Sequence, residues 1–141
     1  MYRALNLSQY IVSKCIVEGQ PISNLQLQKI LYYIQREFLR KVQRAAFSDS
    51  IEAWQFGPVV PEVYYYYCGN GSMPIYMTFE NFELYSEDKS IVDPIVETLR
   101  VLDPWDLVNK THKIGGAWDQ IYQNGRGFRH TIPLELIQEA G

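Results

Sequence analysis

A helix with a strongly marked start constrains this chain more than any other feature. Ser23 supplies a side-chain oxygen suited to an N-cap, and Gln26, three residues later, completes a capping-box pattern. After this start, apolar residues recur at intervals of three and four: Leu27, Ile30, Leu31, Ile34, Phe38 and Val42. This spacing predicts a long amphipathic helix over residues 24–44, and it places Ile34 in the middle of the buried face.

A second informative stretch is an apolar run that breaks at Gly57-Pro58 and restarts as a helix at Pro61. Proline suits the first turn of a helix, where its missing N–H leaves no intrahelical bond unmade. We therefore expect a short helix from Pro61 to about Cys68, ended by the glycines that follow. Residues 47–56 before it indicate a short β-hairpin, with residues 48–50 as its turn.

The remaining helical signals are spread along the chain. Apolar spacing or capping residues predict helices over about 4–18, from Ser90 onward with Pro94 in the first turn, from Pro104 to about His112, over 118–122 and over 133–138. Residues 74–85 are predicted to be irregular, with a strand as the alternative. The expected fold is mainly α (α+β): a compact helical domain spanning 1–141, with a small antiparallel β-hairpin on one flank.

Composition narrows the class of protein. Of the 141 residues, 47% are hydrophobic and 21% are charged, which argues against disorder. The net charge of −3 provides no overall attraction for nucleic acid or for a membrane surface. The N-terminus lacks a signal-peptide pattern, and no apolar run approaches the ~20 residues of a membrane helix. We expect a cytoplasmic protein in which Cys15 and Cys68 are reduced and mostly buried rather than disulfide-bonded.

Residues that could support catalysis are few. His112 and His130 are the only histidines, and no nucleophile elbow, glycine-rich phosphate loop or metal-ligand spacing accompanies them. His112 should end the helix that starts at Pro104, where it could act as a general base or as a hydrogen-bonding pivot for a partner. We favour a histidine packed beside Trp118. The sequence thus predicts a protein without enzymatic activity, cofactor or metal.

A row of basic residues offers one further alternative. Arg36, Arg40 and Arg44 are spaced four apart in the predicted long helix, so they share one face and could contact phosphates. Cations near the C-terminal end of a helix are also common for local electrostatic reasons. We favour a solvated face, and no nucleic-acid partner is expected.

Aromatic residues point more clearly to a function. Tyr64, Tyr65, Tyr66 and Tyr67 are consecutive, and on a helix they point about 100° apart, so one side cannot bury all four. We expect Tyr65 and Tyr66 to face outward more than Tyr64. Exposed tyrosines are favoured at protein interfaces, and Trp54, Phe56 and Pro58 add apolar surface nearby. The alternative site is the N-terminal half of the long helix, where Lys29 and Tyr32 lie off the apolar stripe.

Three stretches of this chain together resemble the Panacea domain, a family also described as phage-associated GepA-like or SocA-like proteins. The first is Leu25, Leu27, Lys29, Ile30, Leu31, Tyr32 and Tyr33. The second is Glu52, Ala53, Trp54 and then the run from Gly57 to Tyr64. The third contains Thr111 and His112, followed by Trp118. The resemblance extends from about Leu5 to Tyr122, and the three stretches occur in the family's order.

This resemblance implies an antitoxin or phage-associated regulator that binds a toxin-like protein by direct contact. One alternative within the family is an adaptor that delivers its partner to an AAA+ protease. An alternative from another class is an enzyme that uses His112 with a carboxylate such as Asp106. The sequence leaves open the identity of the partner and the oligomeric state. The candidate partner-binding residues are Trp54, Phe56, Pro58, Tyr64, Tyr65, Tyr66, Lys29, Tyr32 and His112.

Overall fold

The structure, a computed structural model, describes residues 1–77 and 82–141. Its helices are α1 (Ala4–Val17), α2 (Asn24–Lys41), α3 (Pro61–Tyr67), α4 (Ser86–Leu99), α5 (Pro104–Thr111), α6 (Ala117–Tyr122) and α7 (Leu134–Ala140). The strands β1 (Glu52–Trp54) and β2 (Gly57–Val59) form a two-stranded antiparallel sheet. Short 3-10 turns follow α3 at Cys68–Asn70 and α6 at Gln123–Gly125. The predicted class, mainly α with a small antiparallel hairpin, is confirmed.

The long helix α2 begins as predicted. The Ser23 hydroxyl oxygen accepts from the backbone N–H of Gln26 at 3.3 Å, and the Gln26 side-chain oxygen accepts from the backbone N–H of Ser23 at 2.9 Å. These reciprocal bonds satisfy two of the donors that a helix start leaves unpaired. The helix ends at Lys41 rather than at residue 44, because Gln43 has a φ of 53° and cannot continue a right-handed helix.

The core is built around α2. This helix contacts α1, α3, α4, α5, α7 and β2, so neighbours cover it on most sides. The predicted stripe is buried except at its last residue, since Val42 lies just beyond the end of α2 and is 39% exposed. Leu27, Ile34 and Phe38 have no exposed surface. Neighbours also bury positions off that stripe, including Lys29 and Tyr32. A helix enclosed in this way buries polar as well as apolar side chains. Each buried polar group then needs a hydrogen-bond partner within the protein.

The hairpin lies later in the chain than predicted. Ala53 pairs with Pro58 and Trp54 with Gly57, so the turn is at residues 55–56 rather than at 48–50. Gly57 adopts a φ of 113°, a conformation that glycine alone enters easily, and this permits the tight reversal. Phe47, which was predicted to lie in the hairpin, instead forms an isolated parallel bridge with Tyr2. The other edge of β1 is covered by residues 129–132. The N–H of Ala53 donates to the His130 carbonyl, and the carbonyls of Ala53 and Ile51 accept from the N–H groups of Arg129 and Ile132.

Helix α4 also differs from its prediction. It begins at Ser86 rather than after Ser90, and Pro94 therefore lies inside the helix instead of in its first turn. The early start is explained by Asp88, which is buried in that first turn. Its carboxylate accepts from the Tyr2 hydroxyl and from Arg44, both at 2.6 Å. These tertiary bonds hold the first turn in place despite the backbone hydrogen bond that Pro94 cannot donate.

Other local predictions can be compared directly. Asp103 caps α5 by accepting from the backbone N–H of Trp105 at 2.8 Å, as predicted, and Pro61 opens α3. Residues 74–77 and 82–85 form no strand, apart from a single bridge between Pro74 and Ser23, and residues 78–81 lie outside the described part. Both cysteines are free, but only Cys15 is buried. Cys68 is exposed because it follows α3, whose buried side ends at Tyr67.

The basic row on α2 is used within the chain rather than simply solvated. Arg36, Arg40 and Lys113 each donate to the backbone carbonyl oxygen of Gly141, at 3.3, 3.3 and 3.1 Å. Arg40 also donates to the Gln138 carbonyl at 2.8 Å. Cations therefore gather at the negative end of α7, where the helix dipole favours them. Across the described ranges, no helix combines the length and apolar character needed to cross a membrane.

Candidate partner-binding site

A groove with aromatic side chains lies between the hairpin, the N-terminal half of α2, the end of α3 and the start of α5. It encloses about 440 Å³. Its lining residues are Asn24, Leu25, Gln28, Lys29, Trp54, Gln55, Phe56, Val59, Tyr64, Cys68, Gly71, Ser72, Trp105 and Phe128. We call this feature the aromatic groove. Concave, mainly apolar sites with a few polar groups are typical of binding sites.

The hairpin places two aromatic rings on the groove. Trp54 packs against Tyr64 at 5.1 Å and against Phe128 at 6.1 Å between ring centroids. Phe56, in the turn, meets Trp105 edge-to-face at 5.3 Å. Phe56, Trp105 and Phe128 remain 45%, 54% and 47% exposed. Large aromatic side chains are therefore held in fixed positions with about half of their surface in water.

The floor of the groove is polar and comes from α2. Asn24 donates to the Tyr64 carbonyl at 3.0 Å and accepts from Gln28 at 2.9 Å. Gln28 accepts in turn from the backbone N–H of Val60 at 2.8 Å. Lys29 is fully buried, and its amine donates to the Pro58 carbonyl at 3.2 Å. Burial disfavours the ammonium form and lowers the pKa of Lys29 to about 7.

The four consecutive tyrosines divide between the groove, the surface and the core. Tyr64 is half-buried and lines the groove, whereas Tyr65 and Tyr66 are 51% and 44% exposed and Tyr67 is buried. The prediction that Tyr65 and Tyr66 face outward more than Tyr64 is confirmed. Tyr65 lies just outside the groove, where its ring is 6.0 Å from that of Trp54. Tyr66 instead packs edge-to-face against Tyr67.

Arg129 contacts two aromatic residues at the edge of the groove, Trp54 and Tyr65. Its guanidinium lies over the Trp54 ring at 4.8 Å and donates to the Tyr65 hydroxyl at 2.9 Å. A cation over an indole face is attracted by the ring quadrupole, so Arg129 holds both rings in place. Together, Tyr65 and Arg129 give the edge of the groove a polar boundary.

Five of the nine predicted partner-binding residues do not line the groove: Tyr32, Pro58, Tyr65, Tyr66 and His112. Tyr32 is 2% exposed and packs against Tyr33, and Pro58 is buried within β2. The alternative site on the N-terminal half of α2 is therefore not an exposed surface at Lys29 or Tyr32. His112 stacks on Trp118, with ring centroids 3.7 Å apart and planes 2° from parallel.

The environment of His112 fits a packing role. Burial, and then the nearby positive charge of Lys29, lower the pKa of His112, so its imidazole favours the neutral form. Its Nε2 atom is buried and has no hydrogen-bond partner among the described residues. Within residues 1–77 and 82–141, no hydrogen bond or ion pair joins His112 to Asp106. Residues 1–77 and 82–141 also contain no group of three His, Cys, Asp or Glu that could hold a metal ion.

The structure adds residues that the sequence patterns did not identify: Leu25, Cys68, Trp105 and Phe128 in the groove, and Arg129 beside it. The outward position of Trp105 could have been predicted from helix spacing. The buried face of α5 consists of Leu107, Val108 and Thr111, so a tryptophan two residues before Leu107 points elsewhere. Phe128 and Arg129 carried none, because only the pairing of residues 129–132 with β1 brings them to Trp54.

Comparison with known proteins places this chain in a family. Residues 27–119 match the family described as Antitoxin SocA-like, Panacea domain. The chain belongs to this family. It is also 32% identical over 145 residues to a protein named Antitoxin SocA from Caulobacter vibrioides (strain NA1000 / CB15N). That alignment covers 94% of this chain and 77% of the relative. No solved structure matches the chain.

Membership of the Panacea domain family, expected from the three sequence stretches, is therefore confirmed, and it supports an antitoxin role. The matched region begins within α2 and ends within α6. It contains the hairpin, Lys29 and Trp105, whereas Asn24, Leu25 and Phe128 lie outside it. Most of the aromatic groove is thus built from the part of the chain that defines the family.

Proposed function

We propose that this protein is a non-enzymatic antitoxin that neutralises a toxin-like protein by direct contact through the aromatic groove. The observation that carries this proposal is the half-exposed set of Phe56, Trp105 and Phe128 around a groove of about 440 Å³. A protein gains nothing in solubility by leaving three large rings partly in water. An interface explains them, because aromatic side chains in a desolvated centre dominate binding energy.

The groove is also prepared for binding before a partner arrives. Phe56 and Trp105 hold each other edge-to-face, and Trp54 is fixed by Tyr64, Phe128 and Arg129. Side chains that are already ordered lose little further rotamer freedom on association. Most of the apolar area that a partner covers would therefore contribute to affinity.

The experiment pairs this protein with the product of the gene adjacent to its own. Co-expression should restore growth that the adjacent gene product alone inhibits. Calorimetric titration of the two purified proteins should then show direct binding. The Phe56→Ala/Trp105→Ala variant should bind about thirtyfold more weakly, a loss of ~2 kcal/mol. Restored growth without measurable binding would contradict a mechanism of direct contact.

Tyr85→Ala is the matched control. Tyr85 is an aromatic residue that is 74% exposed and does not line the aromatic groove. Its replacement removes a similar amount of exposed ring surface from another part of the molecule. Affinity should stay within about twofold of the wild type. A greater loss for Tyr85→Ala than for the groove variant would locate the interface elsewhere.

A further inference from the structure

Arg129 is an exposed cation that contacts two rings of the aromatic groove. Its guanidinium carbon lies 4.8 Å from the centre of the Trp54 ring and 5.5 Å from that of Phe128, and both residues line the groove. The residue is exposed to solvent, so a protein that covers these rings can reach the guanidinium. Among the described residues, no other cation lies over a ring that lines the groove.

The guanidinium keeps hydrogen-bonding capacity for a ligand. It has five N–H donors, and one of its nitrogens donates to the Tyr65 hydroxyl at 2.9 Å. Across the described ranges, no Asp or Glu oxygen lies within ion-pair distance of Arg129. Glu52, whose carboxylate contacts Trp54, accepts from the indole N–H at 3.0 Å instead. Arg129 therefore presents a planar set of donors without an anionic partner of its own.

The backbone at Arg129 does not favour an arginine. Its φ is 67°, in the left-handed region, which asparagine and glycine enter much more easily than other residues. This conformation is held in place because the N–H of Arg129 donates to the Ala53 carbonyl at 2.8 Å. Backbone strain of this kind is concentrated at functional sites. The contacts of the guanidinium, rather than the needs of the turn, explain an arginine at this position.

The loop that leads to Arg129 is tightly constrained. A Cβ atom built on Gly127 would overlap the Ile121 carbonyl oxygen, so the chain can pass there only as glycine. The N–H of Gly127 donates to the Tyr122 carbonyl, and the N–H of His130 donates to the Gly127 carbonyl, both at 2.9 Å. Arg129 is thus held over Trp54 before a partner arrives, and binding would cost it little further freedom.

We propose that Arg129 binds an acidic side chain of the toxin-like partner, an aspartate or glutamate beside an apolar residue that packs on Trp54 and Phe128. This inference rests on the proposed function and specifies the chemistry of the partner. The charges are complementary, and the guanidinium fork matches the two oxygens of a carboxylate. A partner that excludes water from this pair would strengthen it.

This contact would also distinguish partners within the family. Phe128 and Arg129 lie after residues 27–119, the part of the chain that matches the family model. A phosphate group of a nucleic acid offers similar chemistry to a guanidinium, but the net charge of −3 favours a protein carboxylate.

The first test uses capped tripeptides, so that it does not depend on the toxin. Acetyl-Leu-Glu-Leu-amide and acetyl-Leu-Gln-Leu-amide differ only in the carboxylate. The full-length protein is titrated with each peptide at low ionic strength, and the chemical shifts of the Arg129 Nε–H and Trp54 indole N–H groups report binding. The glutamate peptide should bind about fivefold more tightly, the upper range for an exposed ion pair. An equal response to the two peptides, including no response to either, overturns the inference.

Variants of two arginines in the same loop identify the cause. Arg129→Asn suits the left-handed backbone, so its melting temperature should stay within about 3 °C of the wild type while the preference for glutamate is lost. Arg126→Asn is the matched control, because Arg126 is exposed and lies over no ring of the groove, and it should keep the preference. Arg129→Lys retains the charge without the fork and should keep part of it.

Three results would count against Arg129. A fall of more than about 10 °C in the melting temperature of Arg129→Asn would mean that the fold needs this side chain. Equal loss of preference in Arg126→Asn would assign the effect to the general charge of the loop. Displacement of the glutamate peptide by a short thymidine oligonucleotide at similar concentration would assign the guanidinium to a phosphate.

The adjacent gene product separates this inference from the proposed function. Arg129→Asn should bind that protein about tenfold more weakly than the wild type, and Arg126→Asn should stay within about twofold. If the wild type does not bind it while the glutamate peptide is still preferred, direct toxin contact fails and the carboxylate site stands. If it binds the wild type and Arg129→Asn equally well, the groove function stands and the carboxylate contact fails.

Discussion

The indole N–H of Trp118 donates a hydrogen bond of 2.8 Å to the backbone carbonyl oxygen of Trp54. This bond joins α6 to β1, and therefore links two of the three stretches that mark the family. Trp118 also stacks on His112, which ends α5. The hairpin that presents Trp54 and Phe56 is in this way fixed to the helices behind it. We propose that Trp118 and His112 position the groove rather than contact a partner in it.

Replacing Trp118 with phenylalanine should show how much its hydrogen bond to Trp54 contributes to stability. Trp118→Phe keeps a ring against His112 but leaves the Trp54 carbonyl without its donor, so stability should fall by about 1–2 kcal/mol. Urea denaturation measures the loss. Trp105→Phe is the matched control, because Trp105 is 54% exposed, and it should change stability by less than ~0.5 kcal/mol. Equal losses in the two variants would show that the hydrogen bond contributes nothing.

Ile34 tests the assignment of the core. It has no exposed surface and lies midway along α2. Ile34→Ala should reduce the free energy of unfolding by about 2–5 kcal/mol, through lost burial and the cavity left behind. Ile114→Ala provides the comparison, since Ile114 is 98% exposed and its truncation should be nearly neutral. A loss below about 1 kcal/mol for Ile34→Ala would be incompatible with a well-packed site.

Lys29 should make stability depend on pH. Its ordinary pKa is 10.5, and burial lowers it to about 7 in the folded protein. Between these values the unfolded chain holds a proton that the folded chain has released, so stability rises as the pH increases from about 7. From pH 7 to 8.5 the gain should be roughly 1.5–2 kcal/mol in the wild type and absent in Lys29→Met.

This pH window isolates Lys29 from other titrating groups. The pKa of His112 is lowered, so this residue changes stability only at pH values below about 6.5. The pKa of the Cys15 thiol is raised from 9.0, and that group reduces stability only at higher pH. Urea midpoints at several pH values for wild type and Lys29→Met provide the measurement. Parallel curves for the two proteins would mean that Lys29 is charged throughout the window.

Local signals explain which elements could be predicted. The start of α2 depends on Ser23 and Gln26, and the start of α5 depends on Asp103, all within one helical turn. Such contacts are encoded in neighbouring residues. The true hairpin turn at Gln55 and Phe56 has no residue typical of turns, whereas the serine-rich stretch before it does. Its position depends on Gly57 and on pairing with residues 129–132, which no local pattern shows.

The site was predicted less completely because it is assembled from distant residues. Trp54, Phe56 and Tyr64 were predicted from their neighbourhood in the sequence, and all three line the aromatic groove. Trp105 and Phe128 reach it from α5 and from the chain after α6. The burial of Lys29 could not be predicted from the sequence either. A lysine that lies off the apolar stripe of a helix is normally at the surface, and here it is covered because β2 packs on α2.

The exposed tyrosines beside the groove allow a final test. Changing both Tyr65 and Tyr66 to serine should leave the melting temperature nearly unchanged, since both are close to half exposed. Binding to the toxin should weaken by ~2 kcal/mol or more, about thirtyfold. We expect Tyr65→Ser alone to produce most of this loss, because Tyr65 contacts Trp54 and accepts from Arg129. Tyr66 packs against Tyr67 instead, so Tyr66→Ser serves as the matched control. Calorimetric titration of the three variants decides the matter, and wild-type affinity in the double variant would place the interface away from this end of α3.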